Sequence, residues 1–303
     1  MRMQAIGLVG LGLMGSAMST RLLSAGHTVV GYDVAPAARD AHAARGGEVV
    51  GAAGEVAARC RVVILSLPNG QISRSACFDP DGVAAGVHEG SVVVETSTVL
   101  PDEAERMASD LVASGAGFTD AALSGHSEMV GRGDALGMVG GEASDAAVVT
   151  PILDAFCRKV MHVGGHGDGM RAKIVVNQIL TINRFAVAEG LVLAEKLGVD
   201  VGRMLEVLRS SAAYSKAMDM WGDRMVDRRY TDPASRVNSH DKDARLTLQL
   251  GREHHAPMLL TSQVNQIVQS MLASGMADLD NSSVVEALRG LAGIETRLPD
   301  TGR

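Results

Sequence analysis

The sequence predicts an α/β protein, with a doubly wound parallel sheet in its first half and an all-α domain in its second half. Between residues 5 and 164, short runs of Val, Ile and Leu alternate with stretches of helical length, which is the pattern of repeated strand–helix–strand units. After residue 169 the strand-like runs stop, and a long segment without proline follows at 172–197. We therefore expect two domains, at residues 1–164 and 165–303.

Seven segments are predicted as strands of the sheet. VVILSLP (62–68) and SVVVE (91–95) are continuously apolar, as expected for strands that are buried on both faces of a parallel sheet. Helices are expected between strands, first at 14–24 and then at 35–45. The other predicted strands are AIGLVG (5–10), HTVVGYD (27–33), GFTDAAL (117–123), ALGMVGG (135–141) and KVMHVG (159–164).

The segment 172–197 is apolar on nearly every face of a helix, and a helix of this kind must be buried all round. We expect a second subunit to provide part of this burial. Further helices are predicted at about 200–210, 238–254, 257–274 and 282–291.

Charge and composition exclude several classes of function. The 303 residues carry a net charge of −7, so no surface for nucleic acid or anionic lipid is expected. No run of about 18 uncharged apolar residues occurs, which predicts no membrane span, and the few cysteines fit a reducing cytosol, so a cytoplasmic protein is expected. The three cysteines are widely spaced, and His254 and His255 would point apart on a helix, so neither disulfides nor a metal site is expected.

The strongest motif is GLVGLGLMG (7–15), which fits the pattern G-x-G-x-x-G between a strand and a helix. Gly10 permits the tight turn, Gly12 lets the backbone approach a pyrophosphate, and Gly15 lets the helix pack against the strand. The motif predicts a dinucleotide-binding (Rossmann) domain. Its predicted cofactor contacts are Gly10, Leu11, Gly12, Leu13, Met14 and Gly15.

Asp33 ends the second predicted strand, about 20 residues after the glycines. A carboxylate at this place binds the ribose hydroxyls of NAD and repels the 2′-phosphate of NADP. The next residue is Val34, and Arg39 is the first basic side chain that follows. We therefore expect NAD to be preferred over NADP.

Together with further segments, this motif resembles the β-hydroxyacid dehydrogenase family, which includes 3-hydroxyisobutyrate dehydrogenases and tartronate semialdehyde reductases. Five segments occur in the family's order over nearly the whole chain. They are GLVGLGLMG (7–15), LP (67–68) with ETSTVLP (95–101), DAALSGHSEMVGRGDALGMVGG (120–141), GDGMRAKIVVN (167–177) and KDARLTLQLGREHHAP (242–257).

The resemblance implies a homodimer or homotetramer in which a small carboxylate substrate sits between the domains and exchanges hydride with the nicotinamide. Lys173 matches the family's catalytic lysine, and Asn177 matches the second asparagine of its pair. Ser124 and Gly125 match the loop that holds the substrate carboxylate. The matched cofactor contacts are Leu67, Pro68, Thr98 and Lys242.

Four positions depart from the family pattern. Ala122 replaces a proline, His126 a glycine, Val176 an asparagine and Glu95 an aspartate. We expect His126, a bulky, titratable residue, to lie beside the carboxylate site, where it either contacts the substrate or fills the edge of the pocket. Together the four departures should affect the choice of substrate more than the chemistry.

The reaction of the family requires a group that accepts and donates a proton, and Lys173 is the candidate. Oxidation of an alcohol releases a proton from oxygen, and a lysine can accept it when burial or a nearby cation lowers its pKa. Lys173 and Asn177 are four residues apart and share a helix face. Lys173 also lies near the predicted helix start, where the helix dipole disfavours positive charge.

The sequence thus predicts an NAD-dependent enzyme that interconverts a short 3-hydroxy acid and its semialdehyde or 3-oxo acid. Two alternatives stay open. Imine reductases resemble this family but generally lack the lysine, and non-catalytic dinucleotide-binding relatives lose the acid/base residue, so Lys173 argues against both.

Overall fold

The computed structural model describes residues 4–233 and 235–298. Contacts within the chain divide it into two units, one up to Lys173 and one from Ile174 onward. None of the helices in these ranges is long and apolar enough to cross a membrane.

The first unit is built on an eight-stranded sheet with the strand order β3-β2-β1-β4-β5-β6-β7-β8. All neighbouring pairs are parallel except β6 and β7. The strands are β1 (Ala5–Val9), β2 (Thr28–Tyr32), β3 (Glu48–Val49), β4 (Val62–Leu65), β5 (Val92–Glu95), β6 (Gly117–Ser124), β7 (Ala135–Gly141) and β8 (Cys157–Gly164).

Helices cover the faces of this sheet and enclose a core that includes Ile6, Leu8, Ile64, Val94 and Phe156. The doubly wound α/β prediction is confirmed, as are all seven predicted strands. The helices are α1 (Leu13–Ser24), α2 (Pro36–Ala44), α3 (Ala53–Arg59), α4 (Gly70–Phe78), α5 (Pro101–Ala113), α6 (Ser127–Arg132) and α7 (Ala143–Leu153).

The second unit is helical, with a core around Phe185, Leu191, Trp221, Met225 and Val285. Its first helix, α8 (Asp168–Lys196), begins in the first unit and continues into the second. The others are α9 (Val201–Ser210), a π-helical turn (Met218–Gly222), α10 (Asp223–Asp227), α11 (Val237–Glu253), α12 (Leu259–Ala273) and α13 (Val284–Leu291).

Several sequence predictions need correction. The short strand β3 was not predicted, because two residues give no periodic signal. Within the single chain α8 is not covered on every face, since Val175 is 57% exposed and Ile179 is 52% exposed, and the expected cover by a second subunit stays a prediction. His254 and His255 do not lie on a helix, because α11 ends at Glu253 and His255 has a left-handed φ of 54°.

Candidate active site

The predicted glycine motif forms the turn between β1 and α1, at the carboxyl end of the sheet. Gly10 has φ +95°, which favours glycine, and a Cβ there would collide with the carbonyl oxygen of Ser66. A Cβ on Gly15 would collide with the carbonyl oxygen of Gly10. The two glycines therefore allow α1 to start directly against the end of β1.

Gly12 differs from its two neighbours because a Cβ built on it meets no atom within 4 Å. It is the N-cap of α1, and among the described residues no side chain caps this helix end. The free backbone N–H groups and the positive end of the helix dipole suit an anion. The turn therefore fits the pyrophosphate of a dinucleotide, and Leu13, which is 84% exposed, flanks that place.

Asp33 is fixed beside this turn through both of its carboxylate oxygens. The backbone N–H of Leu11 donates to Oδ2 at 2.7 Å, and the N–H of Ala35 donates to Oδ1 at 2.8 Å. Arg39 lies next to it, with Nη1 donating to the carbonyl oxygen of Asp33 at 2.6 Å. The end of β2 thus offers a carboxylate for ribose hydroxyls, and it also holds a guanidinium close by.

The predicted cofactor contacts Leu67, Pro68 and Thr98 lie on two loops that follow the adjacent strands β4 and β5. One hydrogen bond links these loops, from the N–H of Leu67 to Oγ of Ser97 at 2.8 Å. Pro68 and Thr98 are exposed. The structure therefore places all three residues at the same edge of the sheet as the glycine turn.

Glu95, the last residue of β5, is hydrogen-bonded to the loop that follows this strand. Its side chain is fully buried, Oε1 accepts the N–H of Ser97 at 2.7 Å, and Oε2 has no hydrogen-bond partner among the described residues. Burial raises the pKa of Glu95 to about 7, and the nearby hydroxyl groups of Ser97 and Ser73 act in the opposite direction. This carboxyl group therefore titrates near neutral pH.

The predicted carboxylate loop follows β6. Ser124 is the last residue of that strand, Gly125 has φ +151°, and His126 is the N-cap residue of α6. All three are half-buried. The structure thus forms a turn at the sequence segment where the substrate carboxylate was predicted to bind.

Lys173 lies against this turn. Its Nζ donates to the carbonyl oxygen of Leu123 at 2.7 Å, one residue before Ser124. The helix dipole acts on Lys173 less than the sequence suggested, because α8 begins at Asp168 and Lys173 falls in the second turn. The structure brings the predicted lysine and the predicted carboxylate loop together within the first unit.

Asn177 and Lys242 were also predicted at the site. Asn177 follows Lys173 by one turn of α8, and its Nδ2 donates to Oδ2 of Asp243 at 3.4 Å. Lys242 is exposed on α11, and its contact with the nicotinamide stays a prediction.

Asp120 lies in the matched segment 120–141, but no role for it was predicted from the sequence. It is fully buried on β6, where Oδ1 accepts the N–H of Gly167 at 2.8 Å and Oδ2 accepts the N–H of Met170 at 2.9 Å. Both donors belong to the start of α8. An aspartate inside an otherwise apolar strand, GFTDAAL, was the available signal, because such a side chain needs buried partners.

The fold and the site define a dinucleotide-binding oxidoreductase, and comparison with known sequences agrees. Residues 5–164 match the NAD binding domain of 6-phosphogluconate dehydrogenase, and residues 167–288 match the NAD-binding region of NADP-dependent 3-hydroxyisobutyrate dehydrogenase. The chain belongs to the β-hydroxyacid dehydrogenase family.

Similar proteins extend over nearly the whole chain. The 2-(hydroxymethyl)glutarate dehydrogenase of Eubacterium barkeri is 30% identical over 95% of this chain and 96% of its own length. The 2-hydroxy-3-oxopropionate reductase of Escherichia coli is 29% identical over 95% of this chain and 98% of its own.

Solved structures support the fold. Mycobacterium tuberculosis 3-hydroxyisobutyrate dehydrogenase with L-serine superposes with a TM-score of 0.86 and 30% identity, covering 95% of this chain and 100% of that one. An imine reductase from Pseudomonas sp. reaches a TM-score of 0.62 at 20% identity, with 95% and 100% covered, which shows a shared fold alone.

Proposed function

We propose that the protein is an NAD-dependent dehydrogenase that interconverts a short 3-hydroxy acid and its semialdehyde or 3-oxo acid. The observation that carries the proposal is the 2.7 Å hydrogen bond from Lys173 to the carbonyl oxygen of Leu123. It holds a potential acid/base group beside a turn that suits a carboxylate. The names of two sequence relatives support the substrate class. In 2-(hydroxymethyl)glutarate a CH₂OH group, and in 2-hydroxy-3-oxopropionate an aldehyde group, is attached to the carbon atom that carries a carboxylate.

Lys173 moves the proton in this proposal. As a neutral amine it accepts the proton of the substrate hydroxyl during oxidation, and as an ammonium it returns the proton during reduction. The Leu123 carbonyl fixes the direction of Nζ, so less side-chain entropy is lost when the substrate arrives. Bound nicotinamide supplies the hydride acceptor or donor.

The substrate is held by two groups of residues. Ser124 and Gly125 bind its carboxylate, and His126 borders the same turn. Asn177 orients the reacting hydroxyl, and the contact with Asp243 limits the rotation of its amide. Lys242 is proposed to contribute positive charge that lowers the pKa of the catalytic amine.

We propose NAD as the cofactor because the Asp33 carboxylate is held in place by two backbone N–H groups. Arg39 is the feature that opposes this choice, and one of the two matched family regions is described for an NADP-dependent enzyme. The pyrophosphate would be held by Gly10, Leu11, Gly12, Leu13, Met14 and Gly15, and Leu67, Pro68 and Thr98 would make further contacts with the cofactor.

We assign the cofactor domain to residues 1–164 and the helical substrate domain to residues 165–303, and we propose a homodimer or homotetramer. The exposed side chains of Val175, Ile179 and Leu193 on α8 support self-association, because large apolar groups clustered on one helix mark an interaction surface.

The proposal is tested by initial rates with NAD⁺ and NADP⁺ across 3-hydroxyisobutyrate, glycerate, threonate and bulkier 3-hydroxy acids. We expect turnover of at least one acid, with a higher kcat/KM for NAD⁺. Cofactor binding without turnover of any acid would contradict the dehydrogenase assignment and would direct the search to imines and to binding partners.

A further inference from the structure

The start of α8 is attached to the sheet by the Asp120 carboxylate. The first N–H groups of a helix have no partner inside the helix, and a local side chain usually caps them. Here the acceptor comes from a strand 47 and 50 residues earlier in the chain. This cap therefore fixes the position of the helix on the sheet as well as satisfying its end.

Two glycines make this close attachment possible. A Cβ on Gly169 would lie 2.7 Å from the carbonyl oxygen of Met138, and a Cβ on Gly140 would lie 2.6 Å from Oδ1 of Asp120. The backbone of α8 therefore rests directly on β6 and β7, with no side chain between them. A small displacement of the helix at this place would break both hydrogen bonds of Asp120.

The same two elements carry the candidate catalytic contact. On β6, Leu123 follows Asp120 by three residues, and on α8, Lys173 follows Met170 by three residues, which is nearly one turn. Met170 contacts Asp120 and Lys173 contacts Leu123, so the helix and the strand touch at two matched points. The donor to Asp120 is a backbone N–H of the helix, which is rigid, whereas the donor to Leu123 is the end of a flexible lysine side chain.

We infer that Asp120 is a positioning residue, which sets where α8 starts and thereby where Nζ of Lys173 lies relative to Leu123 and Ser124. This inference rests on the proposed role of Lys173. Asp120 itself does not touch the substrate; it acts through the first turn of α8.

Both oxygens of the Asp120 side chain take part in this attachment. Burial raises the pKa of the carboxyl group, while the two N–H groups of Gly167 and Met170 act in the opposite direction by favouring the anion. In Asp120→Asn the side-chain oxygen can still accept one of the two N–H groups. The NH₂ group then faces the other N–H, which loses its acceptor.

The test compares Asp120→Asn with Asp168→Asn. Asp168 lies at the same helix start, where its carboxylate accepts the N–H of Gly165 and pairs with Arg171, but it makes no bond to β6. We expect Asp120→Asn to lower kcat about 100-fold, because displacements of about 1 Å in an active site have effects of that size. NADH affinity should change less than about twofold, and Asp168→Asn should keep kcat within about threefold of wild type.

A measurement that needs no turnover accompanies the kinetics. The chain has five lysines, so reductive ¹³C-methylation gives a simple NMR spectrum in which the Lys173 signal is the one missing from Lys173→Arg. That signal and its titration should shift in Asp120→Asn and stay in place in Asp168→Asn. If Asp120→Asn does not fold, Asp120→Ser, which replaces the carboxylate by a smaller hydroxyl that cannot bond to both N–H groups, is measured instead, and the same shift is expected.

The outcomes separate the two claims. Loss of turnover in Lys173→Ala together with wild-type kcat and an unmoved lysine signal in Asp120→Asn would refute the positioning role alone. Unchanged turnover in Lys173→Ala would refute the proposed function, while the NMR comparison would still decide whether Asp120 places the lysine.

Discussion

Replacing Glu95 by Gln should change the pH dependence of stability. In the folded chain burial raises the pKa of Glu95 from 4.5 to about 7. Between these values the native state keeps the proton and the unfolded chain releases it. The contribution of this group to stability is therefore fully present below pH 4.5 and is lost as the pH rises through 7. At 1.36 kcal/mol per pKa unit, the loss amounts to about 3 kcal/mol.

Glutamine resembles the protonated acid in shape and can still accept the N–H of Ser97. We expect Glu95→Gln to equal wild type within about 1 kcal/mol at pH 5 and to exceed it by about 3 kcal/mol at pH 8.5. Urea denaturation of both proteins at the two pH values measures this difference, and the titration of other groups cancels in the comparison.

Glu128→Gln, at an exposed glutamate on α6, reports the effect of losing one charge without burial. A stability difference between Glu95→Gln and wild type that is the same at pH 5 and pH 8.5 would show that Glu95 does not exchange its proton between these pH values.

Three further predictions concern the cofactor turn and the subunit surface. Gly12→Ala should change the free energy of unfolding by less than about 1 kcal/mol, yet weaken NADH binding at least about tenfold in a fluorescence titration. Gly15→Ala should destabilise the fold by about 2 kcal/mol, because its Cβ would collide with backbone and the Cβ of the first variant would not. Equal stability of the two variants would contradict this prediction. Asp33→Ser should lower the NAD⁺/NADP⁺ ratio of kcat/KM at least about tenfold, because carboxylate–phosphate repulsion near 4 Å is worth about 1–4 kcal/mol; an unchanged ratio would mean that Asp33 does not select the cofactor. Ile179→Glu, which adds a charge to the exposed face of α8, should reduce the mass seen by light scattering to that of one chain, and an unaltered oligomer would place the interface elsewhere.

Local pattern was sufficient for the sheet and the cofactor turn. Continuous apolar runs such as VVIL report burial on both faces, and a G-x-G-x-x-G motif between a strand and a helix has few other uses. An apolar run does not indicate the direction in which its strand pairs. The antiparallel pairing of β6 with β7 could therefore not be predicted from the segment ALGMVGG.

The contacts that assemble the candidate site are long-range, and the sequence does not reveal them. The Lys173–Leu123 contact joins residues 50 apart, and the Asp120 contacts join residues 47 and 50 apart. The resemblance to a family indicated which lysine matters but not what positions it. The start of α8 was missed for a related reason, because its cap comes from β6 and not from a neighbouring residue.

Proton transfer by Lys173 can be isolated in the single-turnover rate of NADH formation. NAD⁺-loaded protein is mixed with the best hydroxy acid of the panel, in wild type and in Lys173→Ala. We predict a rate lower by about 10²–10⁴-fold in the variant, the usual contribution of a general base, with the Kd of NADH unchanged within about twofold. A variant that forms NADH at the wild-type rate would show that Lys173 does not transfer the proton.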